Sequence, residues 1–284
     1  MTVERPLVKP HISRVLALAL AVMLALAPLC PGEASAPEKK VYTARDVPLA
    51  RSVRREDYPD LTDAAYANFR AVTTTGMGER TLYRSSSPIN PKLGRSLQAD
   101  AAARAAGIRT VINLADRRSD MARYPGYDAS YYSALAVIAL DADTNVASEN
   151  FRTALVTGLR FLIPHKGPYL IHCTEGKDRA GFACAVLECL MGGTAREIVD
   201  DYMLSYRNYY GVLPGSRQYD EIAGNNLLKD LRTAFHGADI ADPAVDPAAC
   251  AKAYLMELGM TAGEIAALKD RLGAAHPLSS TEGD

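Results

Sequence analysis

No sign of charge dominates this chain. Its 32 lysines and arginines nearly balance 33 aspartates and glutamates. The molecule as a whole therefore does not advertise a nucleic-acid or membrane surface, and any attraction for anions has to be local. Histidine and cysteine are scarce, at five each. No histidine cluster accompanies the Asp141-x-Asp143 pair to fill a coordination shell, which argues against a metal site. No repeat and no long low-complexity linker divides the sequence, which speaks against a second independent domain. The apolar run near the start, Val15 to Leu29, is about fifteen residues long, short of the roughly twenty that span a bilayer.

That run follows Arg5, Lys9 and Arg14 and precedes Ala34-Ser35-Ala36. Residues 1–36 thus read as a secretory signal peptide with its cleavage site near Pro37, which predicts a secreted or periplasmic protein with no stable membrane span after cleavage. Cys30 follows Leu29 instead of a small residue, so lipid attachment there is not expected. Residues 37–60 are rich in Lys, Arg, Glu and Pro without periodicity and read as an N-terminal arm. Residues 61–284 suffice for one α/β domain with a substantial core.

Strand-like runs near Thr81–Arg84, Thr110–Leu114, Ala134–Leu140 and Tyr169–Cys173 alternate with helical patterns that begin at Gln98, Ser148, Arg179 and Thr194. This order predicts a mainly parallel central sheet flanked by helices. Thr194 with Glu197, and Thr261 with Glu264, read as capping boxes.

The chemistry concentrates in Pro168-Tyr-Leu-Ile-His-Cys-Thr-Glu-Gly-Lys-Asp-Arg-Ala-Gly181. A short buried strand leads through a loop into an apolar helix. The five residues between Cys173 and Arg179 let the chain curl so that its amides form an anion nest, reinforced by the helix dipole. The same field favours a thiolate on Cys173. Arg179 offers a planar fork for two phosphoryl oxygens, and those bonds strengthen as charge spreads in the transition state. Thr174, Glu175, Gly176, Lys177, Asp178 and Arg179 are the expected phosphate-binding residues. Gly176 suits a place where backbone approaches the anion, and Gly181 one where helix packs on strand.

His-Cys, five residues and Arg resembles the protein tyrosine phosphatase superfamily, which implies a cysteine-phosphatase fold, a dual-specificity-like architecture and no cofactor. Ala180 stands where that family carries a hydroxyl residue that helps the sulfur leave, so turnover is expected to be slow. Asn68-Phe-Arg70, Leu82-Tyr-Arg-Ser85, Thr110-Val-Ile-Asn-Leu114, Ile198-Val-Asp-Asp-Tyr-Met-Leu-Ser205 and Ala253 to Met260 resemble, in order, one branch of it. These are bacterial, often secreted enzymes, some of them active on phosphoinositides. The resemblance covers roughly residues 66–273. Lys177-Asp178 before the arginine resembles lipid phosphatases that accept multiply phosphorylated inositol rings. His172 is implied to support the loop.

Expelling an alkoxy or phenoxy group needs a proton donor. Asp141 and Asp143 lie about thirty residues before Cys173, a spacing that resembles the acid loop of dual-specificity phosphatases, and Asp141 is favoured. Asp116 is the counterpart by resemblance to the secreted branch, and Asp178 is a third candidate. Asp141 and Asp143 could instead solvate a turn or cap the next helix. Arg84 reads either as a neighbour of the loop or as a surface charge or ion-pair member. Tyr202, Tyr206, Tyr209 and Tyr210 fit core packing at helical spacing and receive no role. Four cysteines follow the leader. An oxidising compartment would permit Cys250 to pair with Cys184 or Cys189, although the latter two read better as small core residues.

The sequence reading is an exported cysteine-dependent phosphatase of phosphomonoesters, with phosphotyrosine in proteins as the favoured substrate. Phosphoinositides or inositol phosphates, and a phosphate-binding pseudophosphatase, are the alternatives. Arsenate reduction shares the loop but needs resolving thiols nearby. Oligomeric state leaves no mark in the sequence.

Overall fold

Leu82-Tyr83, Val111-Ile112 and Leu170-Ile171 are adjacent apolar pairs on three strands, and alternation sends one member of each to either face of a sheet. That is what the computed structural model contains. It describes residues 52–275, so the expected signal peptide and the arm as far as Arg51 lie outside the described residues. Leu82, Ile112 and Ile171 join the larger core, while Tyr83, Val111 and Leu170 join a smaller cluster on the opposite face with Ile108 and Tyr132.

The sheet has five strands in the order β1-β2-β5-β3-β4. These are β1 (Arg70–Ala71), β2 (Leu82–Ser85), β3 (Thr110–Asn113), β4 (Ala136–Ala139) and β5 (Tyr169–His172). β2, β5, β3 and β4 run parallel, whereas β1 pairs antiparallel with β2. The expectation of a mainly parallel, helix-covered sheet therefore holds. Two-residue β1 escaped it, because a pair reading Arg-Ala carries no alternation.

Ser85 stands opposite His172, His172 opposite Asn113, and Asn113 opposite Ala139. All four parallel strands thus end on one row, and loops leaving that row converge. This is where open α/β sheets bind ligands.

The described helices are α1 (Asp63–Tyr66), α2 (Ser96–Ala105), α3 (Arg118–Met121), α4 (Glu149–Leu162), α5 (Arg179–Met191), α6 (Ala195–Tyr210), α7 (Arg217–Ala223), α8 (Lys229–Ala234), α9 (Pro247–Glu257) and α10 (Ala262–Gly273). A π-helical turn, Gly224–Leu228, links α7 to α8. α2 starts at Ser96 instead of Gln98. β4 starts at Ala136 instead of Ala134, because Tyr132–Ala134 form a tight helical turn that buries the Tyr132 ring. None of the described helices is long and apolar enough to cross a membrane.

α5 has the apolar surround of a core helix, and every residue from Ala180 to Leu190 is buried. It packs closely against β2 and α6 at Gly181. A Cβ there would lie 2.7 Å from Arg84 Nη2 and 2.8 Å from the Tyr202 ring. Both expected capping boxes are formed, Thr194 with Glu197 on α6 and Thr261 with Glu264 on α10. Cys184 and Cys189 are small core residues on α5, and both are free thiols, as is Cys250, so the proposed pairing with Cys250 is not made. Burial pushes the Cys184 thiol up to about 12.

Candidate active site

Cys173 follows the last residue of central β5, and Arg179 opens α5. The strand and the helix are fixed in the core, so the six residues from Cys173 to Asp178 have to turn the chain between them. Their carbonyls are held from outside the turn. Ser87 N donates to Thr174 O at 3.2 Å. Tyr209 Oη donates to Glu175 O at 2.8 Å, and Asn68 Nδ2 to the same oxygen at 3.1 Å. Arg84 Nη2 donates to Gly176 O at 2.9 Å and to Lys177 O at 3.0 Å. In a trans peptide the N–H points opposite to the C=O, so carbonyls held outward aim the amides at the concave side. A turn with its carbonyls tied outward has the form that an anion nest requires.

The outer donors are themselves buried and paired. Arg84 is fully buried, with Nη1 2.5 Å from Asp201 Oδ2. Arg70 Nε reaches Asp201 Oδ1 at 2.7 Å, and its Nη2 reaches Ser205 Oγ, which also accepts from Asn68. Burial opposes charge on Asp201, but Arg70 and Arg84 outweigh it and hold the carboxyl below its ordinary range. Arg84 is not a surface charge: it lies beside the loop and is at the same time a member of an ion pair with Asp201. Tyr209 also acquires a role that helical spacing did not reveal. Its periodic position identifies a buried face, but nothing local says that its hydroxyl meets a loop carbonyl 34 residues away.

Gly176 has φ +67°, and a Cβ there would lie 2.0 Å from Ser85 O. The glycine is required by the end of β2 behind the loop, a constraint additional to the expected approach of the anion. His172 is fully buried, with Nδ1 3.2 Å from Cys173 O and Nε2 2.8 Å from Tyr132 Oη. Burial pushes the imidazole down to about 4, against the attraction of Asp116, so it stays neutral near pH 7. The side chain does anchor the loop, through a tyrosine partner that sequence reading missed.

Arg179 Nη1 donates to Leu114 O and Ala142 O, each at 3.0 Å, and Nη2 to Thr174 Oγ1 at 3.3 Å. One guanidinium therefore gathers the phosphate loop, the loop after β3 and the loop after β4. An anionic phosphoryl group is a stronger acceptor than either carbonyl and can compete for this fork.

The candidate acids fall in different surroundings. Asp116 is buried and accepts from Tyr124 Oη at 2.6 Å and from Asn113 Nδ2 at 3.0 Å. Asp141 has a left-handed backbone, φ 44°, and its N–H donates to Asp116 O at 3.2 Å. Its carboxylate is half exposed, 2.5 Å from Arg117 Nε, whose own side chain is exposed. Asp143 is exposed, and its N–H donates to Asn150 Oδ1. Neither Asp141 nor Asp143 caps α4, a task performed by Ser148. Asp178 lies 3.0 Å from Lys177 Nζ.

Lys177 is only 4% exposed. Its ammonium faces Asp178, Glu175 Oε2 at 3.6 Å and the Tyr206 ring at 4.9 Å. Burial works against its charge, yet Asp178, with smaller contributions from Tyr202 and Tyr210, holds it above its ordinary range.

Over residues 67–274 the chain matches a family described as the tyrosine phosphatase family. It is 28% identical over 297 residues to a tyrosine-protein phosphatase of Nostoc commune, covering 91% of this chain and 97% of that one. Among solved structures it is similar to the core catalytic domain of the PP-IP phosphatase SIW14 from S. cerevisiae in complex with citrate, at 22% identity and TM-score 0.35, over 54% of this chain and 81% of that one. It is also similar to P. aeruginosa TpbA, at 15% identity and TM-score 0.38, over 75% and 97%. The family match begins at the buttress that includes Asn68 and Arg70, runs through the Cys173–Arg179 loop and ends beyond α10, so this chain belongs to the tyrosine phosphatase family and is a phosphatase.

Proposed function

We propose that the protein hydrolyses phosphotyrosine in proteins through a phosphocysteine intermediate. The observation that carries this reading is the loop with its carbonyls tied outward, Cys173 at its head and Arg179 closing it. Cys173 Sγ attacks phosphorus as a thiolate, while the loop amides and Arg179 take up the phosphoryl oxygens. As the bond from phosphorus to the leaving oxygen breaks, Asp141 protonates that oxygen. The resulting carboxylate accepts a proton from water, water attacks phosphorus, the S–P bond breaks, and inorganic phosphate leaves with the thiolate restored.

Asp141 is the better donor because its carboxyl is held only by an exposed ion pair, which is weak and exchangeable. Asp116 already accepts two hydrogen bonds and is better suited to fixing its loop. The closed environment of Lys177 supports phosphotyrosine over a multiply phosphorylated inositol. An ammonium neutralised by Asp178 and Glu175 has little charge left for additional phosphates.

The test is phosphate release from a phosphotyrosyl peptide and from a phosphoinositide, by wild type and Cys173→Ser. The expected outcome is peptide turnover that Cys173→Ser abolishes. Faster release from the phosphoinositide would reassign the substrate, and turnover that survives the substitution would refute the mechanism.

Ala180 is buried beside the loop and brings no hydroxyl to the departing sulfur. This favours a second reading, in which phosphoenzyme forms and then stalls. A stoichiometric burst followed by slow release, with the slow phase accelerated in Ala180→Ser, is the expected signature. We also propose export, on the pattern of residues 1–36. A mature N-terminus near Pro37, found by sequencing the exported protein, is the result that supports it.

A further inference from the structure

The proposed chemistry leaves a cavity beside the phosphate loop without a task. It measures about 500 Å³, within the range of sites that take a small ligand or a side chain. Thr144 and Asn145 line it from the loop that carries Asp141, Asp178 from the phosphate loop, Phe182 and Tyr202 from α5 and α6, and Asp230 from α8. Cys173 is not part of its wall, so it adjoins the cradle. A smaller cavity of about 150 Å³ shares Val146, Phe182 and Asp230 with it and extends to His236 and Glu257.

The lining of the larger cavity joins two aromatic rings to two carboxylates and includes no lysine or arginine. Asp178 is offset by Lys177 behind it. Asp230 has no hydrogen bond or ion pair among the described residues. Burial pushes its carboxyl up to about 6, with the Asp178 charge adding to the effect and Lys229 opposing it. A carboxylate drawn partly out of water and left unpaired is a site for a cation, and apolar walls suit the methylene stem of a long basic side chain.

Resting on the phosphotyrosine reading, we propose that this cavity receives the residue flanking the phosphotyrosine and that Asp230, assisted by Asp178, selects lysine or arginine there. A peptide gripped by its phosphate places its neighbouring side chain against the wall nearest the loop, and that wall is acidic. The same carboxylates oppose an acidic flank or a second phosphate, because like charges in a partly desolvated cavity repel. Asp230 is a specificity residue and takes no part in the phosphoryl transfer.

The experiment measures binding to Cys173→Ser, which separates recognition from turnover. Three phosphotyrosyl peptides that differ only beside the phosphotyrosine, with Lys, Ala or Glu, are titrated. The Lys peptide is expected to bind about tenfold more tightly than the Glu peptide, a spread typical of one charge contrast. Adding Asp230→Asn should shrink that ratio to about threefold, and Asp230→Lys should invert it, by the same electrostatic reasoning. Equal affinities for the Lys and Glu peptides overturn the proposal, as does a ratio that neither substitution moves. Wild-type turnover of p-nitrophenyl phosphate, which has no flank, reports separately on the phosphatase chemistry. Hydrolysis of it without peptide discrimination sinks this inference alone.

Discussion

The two sides of the active site are built differently. Behind the phosphate loop, Asn68, Arg84 and Tyr209 are buried and tied to its carbonyls, and Asp201 and Arg70 buttress Arg84 in turn. Across the cleft, Asp141 sits on a short surface loop with a strained backbone and one exposed partner. The loop proposed to grip the anion has its geometry enforced by desolvated charges paired with one another. The side that carries the proposed proton donor is free to change partner at small cost. Transition-state charge is best met by fixed dipoles, whereas the donor has to approach a leaving group and withdraw.

The sharpest challenge to this contrast is to remove each acid separately. Asp141→Asn should lower kcat for an alkyl phosphate by about 10²- to 10⁴-fold and abolish the alkaline limb of its pH–rate profile. Asp116→Asn should leave that limb in place. If the limb disappears with Asp116 instead, the roles of the two loops are reversed.

On the buttressed side, Arg84→Met strips Asp201 of one partner and releases the Gly176 and Lys177 carbonyls. Breaking a buried pair of this kind costs about 3–5 kcal/mol, which urea denaturation would detect. An effect below about 1 kcal/mol, the worth of a surface pair, would mean that the loop holds its shape without Arg84.

A pH titration of stability probes the same side. Burial lowers the folded-state His172 pKa to about 4 from an unfolded value near 6.5, so the unfolded chain binds the extra proton first as pH falls. The contribution is fully present above about pH 6.5, declines between about pH 6.5 and 4, and amounts to on the order of 3 kcal/mol. His172→Gln should flatten that part of the Tm-versus-pH curve. An unchanged slope would assign it to other groups.

The smallest effect is expected away from the cleft. Thr194→Ala removes one half of the α6 capping box and should cost about 1 kcal/mol, leaving KM for a phosphotyrosyl peptide unchanged. A changed KM would tie the start of α6 to the site through Tyr202 and Tyr209.

Much of the site was legible in residue order. The Cys173–Arg179 spacing, the strand before it and the apolar helix after it are local facts, because a turn between a fixed strand and a fixed helix has few ways to run. Gly181 was legible as a place where helix packs on strand, whereas the cause at Gly176 was not. Ser85 O and the Arg84 side chain meet them from a strand some ninety residues earlier. Separations of 34 and 40 residues hid Tyr209 and the Tyr132 hydroxyl beneath His172, because period and polarity show that a side chain is buried without showing what it touches. Lys177 changed most. Its position resembles a free cation for polyphosphorylated rings, but Asp178, Glu175 and Tyr206 enclose it.

Sequence alone determined the parallel sheet, the positions of Cys173 and Arg179 and the loop between them, since each follows from near-neighbour alternation, capping and spacing. Tertiary structure alone decided which carboxyls are engaged, which cation is neutralised and what stands behind the loop. Charges and hydrogen bonds act over a few ångströms of space, and folding brings such distances about between residues more than a hundred positions apart.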